Sequence, residues 1–404
     1  MSEAAYRETV NLLFSAISMN PTRGLKSSFM FNNPTARGHM PYAGGVEIFY
    51  HRATLIKASL HIRKNGPPHL RHLAPQDIWS QLQMFITNNY YYLADEVGIS
   101  LSHAPFSEIT SEMTKERFAS LLKQELQADY SSSTTIYPLV TIVCDVPFLT
   151  EAFFLTPAGH LNSELIGQDI PEVQINPNVF PPLTDRQGRQ QHRVTSWLGV
   201  RAPNHKVARK FKAAILGAIS LKTQSKHRYV FSGRAMFGGY CCFNKNKLSH
   251  AFEDPVTPPL YHDLHLLTAD ADWISDLSHK LMSSSKAVRR QLKALEYFYR
   301  AWPLDKSDRF PVLCMALDAI FGDANQATKA VIDGVMEVLP GKYERERIGL
   351  LMKLRASVIH GGAPDVWDSR KYVAYYESYD EDPISDMEAI VAECLCHKVF
   401  GRAI

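Results

Sequence analysis

The stretch KYERERIGLLMKLRASVIHGG, residues 342–362, decides how the C-terminal part of the chain folds. Its apolar residues recur at helical spacing, and Gly361 and Gly362 form a typical helix stop. The pattern predicts one helix over 342–360. Arg355 and His360, separated by four residues, lie near the end of that helix. At about 100° and 1.5 Å per residue, they lie about 140° apart around the helix and about 7.5 Å apart along it.

An arginine and a histidine together can cleave a phosphodiester without a metal ion. The histidine transfers the proton, and the arginine holds the phosphate charge. Spacing alone does not identify such a site, because Arg63/His69 and Arg186/His192 also fall within four to six intervening residues. The surrounding sequence therefore has to distinguish the three pairs.

Successive helices are predicted from about residue 271 to the C-terminus. They cover 273–302, 309–321, a third segment ending near Leu339, 342–360 and 384–400, with an aromatic-containing loop over 365–382. Asp318 is the only acid between Phe310 and Phe321, an otherwise apolar run. A carboxyl group in such a helix needs a partner or changes its pKa. We therefore expect Asp318 to pair with Arg355.

The composition is that of an ordinary globular protein large enough for two or three domains. The chain has 404 residues, of which 45% are hydrophobic and 21% charged. No apolar run approaches the roughly 18–20 residues that span a bilayer. The N-terminus lacks the pattern of a signal peptide, and the six cysteines show no disulfide or zinc spacing. These features favour a cytoplasmic protein without a metal or cofactor.

The N-terminal two thirds of the chain mix helix and strand signals. Helices are predicted over 5–18, 75–93 and 114–129, and strands within 46–63 and 136–146. A connector rich in Pro, Leu, His and Asp, 254–267, suggests the domain boundary. The predicted fold is α+β, with a mixed α/β domain over 1–268 followed by an all-α domain over 269–404.

Positive charge is concentrated in one segment. Residues 186–252 contain 14 Lys and Arg and no acid, although the net charge of the whole chain is only +3. A helix is predicted from about 205 to 222 with Asn204 as its N-cap, and the basic residues in its first turns oppose the helix dipole. This pattern is explained by a polyanion partner or by a solvated face on an ordinary surface helix. The candidate nucleic-acid contacts are Lys206, Arg209, Lys210, Lys212, Arg193 and Arg201.

Residues 271–404, about a third of the chain, resemble a HEPN domain, specifically its ApeA-like branch. The resemblance rests on Ala316–Gly322, which is similar to the family's "aLEalf" segment with Asp318 in place of Glu. It rests also on Arg355–Gly361, which is similar to the family's Arg–x4–6–His motif followed by glycine. The family often has a polar residue, commonly Asn, directly after the arginine, where this chain has Ala356.

The resemblance implies a helical bundle with metal-independent endoribonuclease activity. In the family, two domains pair so that two Arg/His motifs form one composite site, and the ribose 2′-hydroxyl attacks the adjacent phosphate. His360 would then act as general acid or base, and Arg355 would stabilise the transition state with Asp318 in support.

Many members of the family are toxins or abortive-infection effectors. RNA as substrate, a homodimer and a phage-derived trigger are therefore expected, with the N-terminal domain sensing the trigger or positioning RNA. The alternative is a non-catalytic HEPN-like scaffold that binds nucleic acid or dimerises.

Overall fold

A computed structural model describes residues 3–19, 25–31, 44–93, 96, 104–126, 133–162, 180–182, 184, 188–244, 247–323, 325–402 and 404. Helices and strands are both present, which confirms the α+β class. The chain divides into two compact units, Met1–Asp129 and Tyr130–Ile404. Among the described residues, no helix is long and apolar enough to cross a membrane.

The first unit combines helices with a small antiparallel sheet. The helices are α1 (Glu3–Ser15), α2 (Arg52–Asn65), α3 (Pro75–Asn89), α4 (Phe106–Ile109) and α5 (Glu112–Leu126), with 3₁₀ turns at Pro68–His72 and Tyr90–Tyr92. The strands β1 (Ile17–Ser18), β2 (Leu25–Phe31) and β3 (Gly44–Tyr50) pair in the order β1-β3-β2. The strand prediction for 46–63 is wrong beyond Tyr50. Leu55, Ala58 and Ile62 recur at helical spacing and are fully buried, so helix α2 forms there.

The second unit begins with a six-stranded sheet. Its strands pair antiparallel in the order β10-β9-β4-β8-β7-β6. A separate parallel pair joins β11 to β5. The predicted strand over 136–146 is divided in two, because the chain bends at Val140 and Thr141. The strands are β4 (Ser133–Leu139), β5 (Ile142–Cys144), β6 (Phe148–Leu149), β7 (Phe153–Pro157), β8 (Ser196–Ala202), β9 (Gly238–Asn244), β10 (Lys247–Glu253) and β11 (Leu264–Leu266).

Helices dominate the rest of this unit. Helix α6 (His205–Leu221) begins at Asn204, whose side chain accepts the Val207 N–H at 3.0 Å as an N-cap. The later helices are α7 (Ser225–Arg228), α8 (Ala271–Met282), α9 (Lys286–Ala301), α10 (Lys306–Phe321), α11 (Ala327–Val338), α12 (Arg345–Ile359), α13 (Arg370–Tyr379) and α14 (Pro383–Leu395). Short 3₁₀ turns lie at Ala158–His160 and Thr268–Asp270, and a π-turn, Cys396–Phe400, follows α14.

Two helix predictions need correction. The helix expected over 273–302 is two helices, α8 and α9, because three serines at 283–285 separate them. The loop expected over 365–382 contains helix α13, which buries Tyr375 and ends at Asp380 with a positive φ of 52°. Helix α13 has no broad apolar face, and periodicity therefore did not indicate it.

Helix α6 joins the sheet to the C-terminal helices. It packs on β4 and β8 and also on α9, and every residue from Phe211 to Leu221 is buried. At Gly217 the two helices approach so closely that an added Cβ would lie 2.1 Å from the carbonyl oxygen of Leu295. The compact units therefore divide at 129/130 and not at the expected 268/269.

Acids outside the basic segment neutralise part of its charge. Lys210 pairs with Glu296 at 3.3 Å, and Lys222 pairs with Asp270 at 2.5 Å. Arg234 forms an ion pair with Asp263. Lys210, Lys222 and Arg234 therefore form ion pairs within the second unit, whether or not they also bind a partner.

Gly217→Ala tests the close approach of α6 and α9. Because the new methyl group would overlap a backbone carbonyl, the helices must shift, and we expect the free energy of unfolding to fall by about 1–3 kcal/mol. Urea denaturation followed by circular dichroism measures this change.

Gly349→Ala provides the matched control. No atom of the described residues lies within 4 Å of a Cβ added at Gly349, which is inside helix α12. Alanine should stabilise this position by about 0.5–1 kcal/mol through its helix propensity. Equal effects of the two substitutions would contradict the packing argument.

Candidate active site

Helices α10 and α12 bring Asp318 and Arg355 together. The Nη2 group of Arg355 donates a hydrogen bond to Oδ2 of Asp318, and the two side chains form an ion pair. The side chain of Asp318 is 24% exposed and that of Arg355 is 22% exposed, so the pair is in direct contact and half-buried. The contact expected between these two residues is present.

Each partner keeps an unused polar atom. Oδ1 of Asp318 and Nε of Arg355 are buried without a hydrogen-bond partner among the described residues. Burial raises the pKa of Asp318, and the charge and hydrogen bond of Arg355 only partly oppose this effect. The ion pair is therefore incompletely satisfied, and only the exposed part of the Arg355 side chain can meet an incoming group.

His360 ends helix α12 and is exposed. Its backbone N–H donates to the carbonyl of Ala356 at 3.1 Å, which completes the last turn. The next residue, Gly361, has a φ of +73°, a left-handed conformation that glycine adopts without strain. The N–H of Ala363 then returns to the carbonyl of Ser357 at 3.1 Å. The chain turns back at this point and leaves the imidazole of His360 at the surface.

Side chains from neighbouring helices fix α12. Nε of Arg347 donates to Oη of Tyr375 at 2.9 Å and to Oδ2 of Asp386 at 2.8 Å, and Tyr375 also donates to Asp386. Burial lowers the pKa of Arg347, but these hydrogen bonds outweigh it and the pKa is raised. The network connects α12 to α13 and α14, and it holds the helix that carries Arg355 in place.

Two further supports lie near the pair, and the sequence analysis missed both. The buried Ser369 donates through Oγ to Oγ of Ser357 at 3.0 Å and also accepts the N–H of Lys371 as the N-cap of α13. Arg290 of α9 donates to the carbonyls of Ala319 at 2.8 Å and Gly322 at 2.5 Å, at the end of α10. Serine before a helix is a recognisable signal, whereas the role of Arg290 depends on tertiary packing.

The competing pair Arg63/His69 has a different environment. Arg63 donates to the carbonyls of Leu73 and Arg71, both at 2.9 Å. His69 is buried, and burial together with the charge of His72 lowers its pKa to about 4. Arg186 of the third pair lies outside the described residues. Of the two pairs that are fully described, only Arg355/His360 leaves its histidine exposed.

The six candidate nucleic-acid contacts are not one surface cluster. Lys206, Arg209 and Arg193 are exposed. Lys210 is paired with Glu296. Arg201 donates to the backbone carbonyls of Thr150 and Glu151.

Lys212 does not lie on the surface as expected. Lys212 is only 8% exposed. It lies one turn after the buried Ala208 and therefore on the same, buried face of α6. A charged residue in an amphipathic helix therefore faces the interior of the second unit.

Among the described residues, no group of three or more His, Cys, Asp or Glu side chains is arranged to hold a metal ion. No protein-family model, curated protein or solved structure matches the chain. The resemblance to HEPN domains therefore rests on the residues of this chain alone. Among them are the Asp318–Arg355 pair and the exposed His360 that ends the same helix.

A double-mutant cycle on Asp318 and Arg355 tests the ion pair. We expect Asp318→Ala, Arg355→Ala and the double variant to give a coupling energy of about 1–2 kcal/mol, because the pair is half-buried. Urea denaturation of the four proteins measures it.

The pair Arg345–Asp333 supplies the control, since it also involves an arginine of α12 but its side chains are 52% and 46% exposed. Its coupling should not exceed about 0.5 kcal/mol and should vanish in high salt. A coupling at Asp318–Arg355 no larger than this would show that Asp318 does not brace Arg355.

Proposed function

We propose that the chain is a metal-independent endoribonuclease of the HEPN type, a toxin or an abortive-infection effector against phage. One observation carries the proposal: Asp318 holds Arg355 on the last turns of α12, and the exposed His360 ends that helix. The N-terminal region would sense a phage-derived trigger or position RNA, and the protein would act in the cytoplasm.

The proposed reaction uses two proton transfers, one from the attacking 2′-hydroxyl and one to the leaving 5′-oxygen. A histidine takes the proton from the ribose 2′-hydroxyl, and the 2′-oxygen forms a bond to phosphorus. The bond from phosphorus to the 5′-oxygen then breaks, and that oxygen receives a proton. The products are a 2′,3′-cyclic phosphate and a 5′-hydroxyl end.

Arg355 would stabilise the charge that builds up on the phosphate oxygens. The exposed part of its side chain would do this while Asp318 engages Nη2. In a composite site, His360 of one copy acts as base and His360 of the other acts as acid. Asp318 is a positioning residue in this scheme and does not touch the substrate.

Arg355→Ala and His360→Ala should each reduce RNA cleavage by about 100-fold or more, because each removes a group that acts in the transition state. Cleavage of labelled RNA by purified protein is followed on a gel, with a chelator present throughout. Mapping the ends should show cyclic phosphates and 5′-hydroxyls.

Arg345→Ala and His397→Ala serve as matched controls, since both side chains are exposed and lie outside the proposed site, Arg345 at the opposite end of α12 from Arg355. They should cleave RNA at the wild-type rate. If the two site variants cleave as fast as these controls, or if the chelator stops cleavage, the proposal fails.

A homodimer is part of the proposal because the composite site needs two copies. Support comes from large apolar side chains that are exposed in and around the motif segment: Ile359, Trp367, Val373 and Tyr376. Exposed apolar side chains of this size are characteristic of protein–protein interfaces. They belong to the end of α12, the following loop and α13.

Trp367→Glu should convert the dimer to a monomer and lower cleavage in parallel, because it places a charge among apolar contacts. Analytical ultracentrifugation gives the mass, and the RNA assay gives the rate. Phe252→Glu is the control, since Phe252 is 56% exposed and lies in β10 of the sheet, whereas Trp367 is 47% exposed. If Trp367→Glu remains a dimer, this segment is not part of the interface.

The second candidate function is a non-catalytic nucleic-acid-binding or dimerisation scaffold. It is favoured by Ala356, which follows Arg355 where the family often has a polar residue. This function predicts salt-sensitive RNA binding through Lys206 and Arg209 without cleavage under any condition. The same gel assay separates the two functions, since only the first produces shorter RNA.

A further inference from the structure

Lys212 is a buried lysine that forms no ion pair with an acid of the described residues. Its ammonium nitrogen lies 5.1 Å from the ring centroid of Tyr137 and 5.7 Å from that of Tyr299. Among the described residues, no hydrogen bond or ion pair reaches Lys212. The ring faces attract the positive charge but provide no strong acceptor for its three N–H donors. The donors of Lys212 therefore remain available.

The charge of Lys212 is costly to keep. Burial and, to a smaller extent, the charge of Arg209 lower the pKa of Lys212 to about 8, although the charge of Glu253 opposes them. Since the folded pKa is below the ordinary value of 10.5, this lysine destabilises the fold at neutral pH, and the cost disappears as the pH rises above 10.5. An unpaired charge that lowers stability points to a ligand that compensates it.

Other unsatisfied polar atoms lie in the same cluster. Oη of Tyr137 and Nδ1 of His205 are buried without a hydrogen-bond partner among the described residues. The ring of His205 stacks on Tyr240 with centroids 3.8 Å apart, and Tyr240 contacts Tyr137 at 6.3 Å. Ring contacts thus connect Lys212, Tyr137, Tyr240 and His205 across α6, β4 and β9.

We propose that Lys212, Tyr137 and His205 form a binding site for a phosphate monoester. The ammonium, the phenol and the imidazole can each donate a hydrogen bond to a phosphate oxygen. The exposed Arg209 on the same helix adds positive potential that would attract the anion. The site lies on α6, β4 and β9, whereas the Arg355/His360 site lies on α12, and it does not depend on the proposed nuclease activity.

A monoester fits this site better than an internal phosphodiester does. Lys212 is only 8% exposed, so a group that reaches it must enter end-on. An internal phosphate of a nucleic acid carries a chain on both sides and needs an open groove. A terminal phosphate also carries a charge of about −1.5 to −2, which compensates a buried ammonium more fully.

Isothermal titration of the full chain with inorganic phosphate and with adenosine 5′-monophosphate, at constant ionic strength, tests the site. Both should bind the wild type, and Lys212→Met should weaken binding by at least about tenfold. Tyr137→Phe, which removes only the hydroxyl, should weaken binding several-fold. Lys226→Met is the matched control, since Lys226 is an exposed lysine of the same basic segment and should bind as the wild type does.

A proton measurement separates ligand binding from a structural effect. Phosphate should restore the charged form of Lys212, so binding near pH 8 should take up a proton, and Lys212→Met should lose this uptake. Titrations in buffers of different ionisation enthalpy measure it. The titratable and charged groups that face Lys212 are Tyr137, Tyr299, His205, Arg209 and Glu253.

Oligoribonucleotides with and without a 5′-phosphate identify the source of the phosphate. Tighter binding of the phosphorylated strand assigns the site to RNA ends, and equal binding of the two strands assigns it to a small free phosphate. The proposal is overturned if the wild type binds neither inorganic phosphate nor the mononucleotide. It is also overturned if Lys212→Met binds them with wild-type affinity and the same proton uptake.

Discussion

The close approach of α6 and α9 at Gly217 and Leu295 is the constraint on which the rest of the second unit depends. Because Gly217 has no side chain, the helix that covers the sheet can lie directly against α9. Arg290 of α9 then holds the end of α10 through the carbonyls of Ala319 and Gly322. Helix α10 carries Asp318. The position of Arg355 is thus connected to the sheet through a continuous series of helix contacts.

Two ion pairs in the helical part illustrate different uses of a charge. Arg309 and Glu388 are both buried, and their pair joins α10 to α14. Such a pair gains little net stability because both charges lose their water, but it fixes one arrangement of the helices. Asp318 and Arg355 remain half-buried. Partial exposure leaves part of the Arg355 side chain in contact with solvent, while the carboxylate of Asp318 limits its orientations.

The sequence predicted those elements in which local signals agree with the tertiary structure. Helix α6 has its N-cap at Asn204, and α12 has its glycine stop, so both were found close to their observed bounds. Asp318 was recognised because a lone acid in an apolar helix requires a partner, and Arg355 is that partner. In each case the signal lies in a few neighbouring residues.

The failures have a common physical cause, which is packing between distant segments. Helix α13 was missed because it buries only Tyr375 and so shows no apolar stripe. Lys212 was expected at the surface because a lysine usually is, yet α6 is covered on two sides. The boundary near 268 was predicted from a change in composition. The compact units do not divide there, because α6 packs on both the sheet and α9. Periodicity and composition do not contain that information.

The position of helix α6 also limits how the gene can recombine. Its sequence lies before the connector at 254–267, but its packing partner α9 lies after it. A recombination event that cuts the gene within the connector would separate the two and leave the face of α9 around Leu295 without its cover. The helical part can therefore move to a new protein only together with α6 or with a replacement that has a residue as small as glycine at the crossing point.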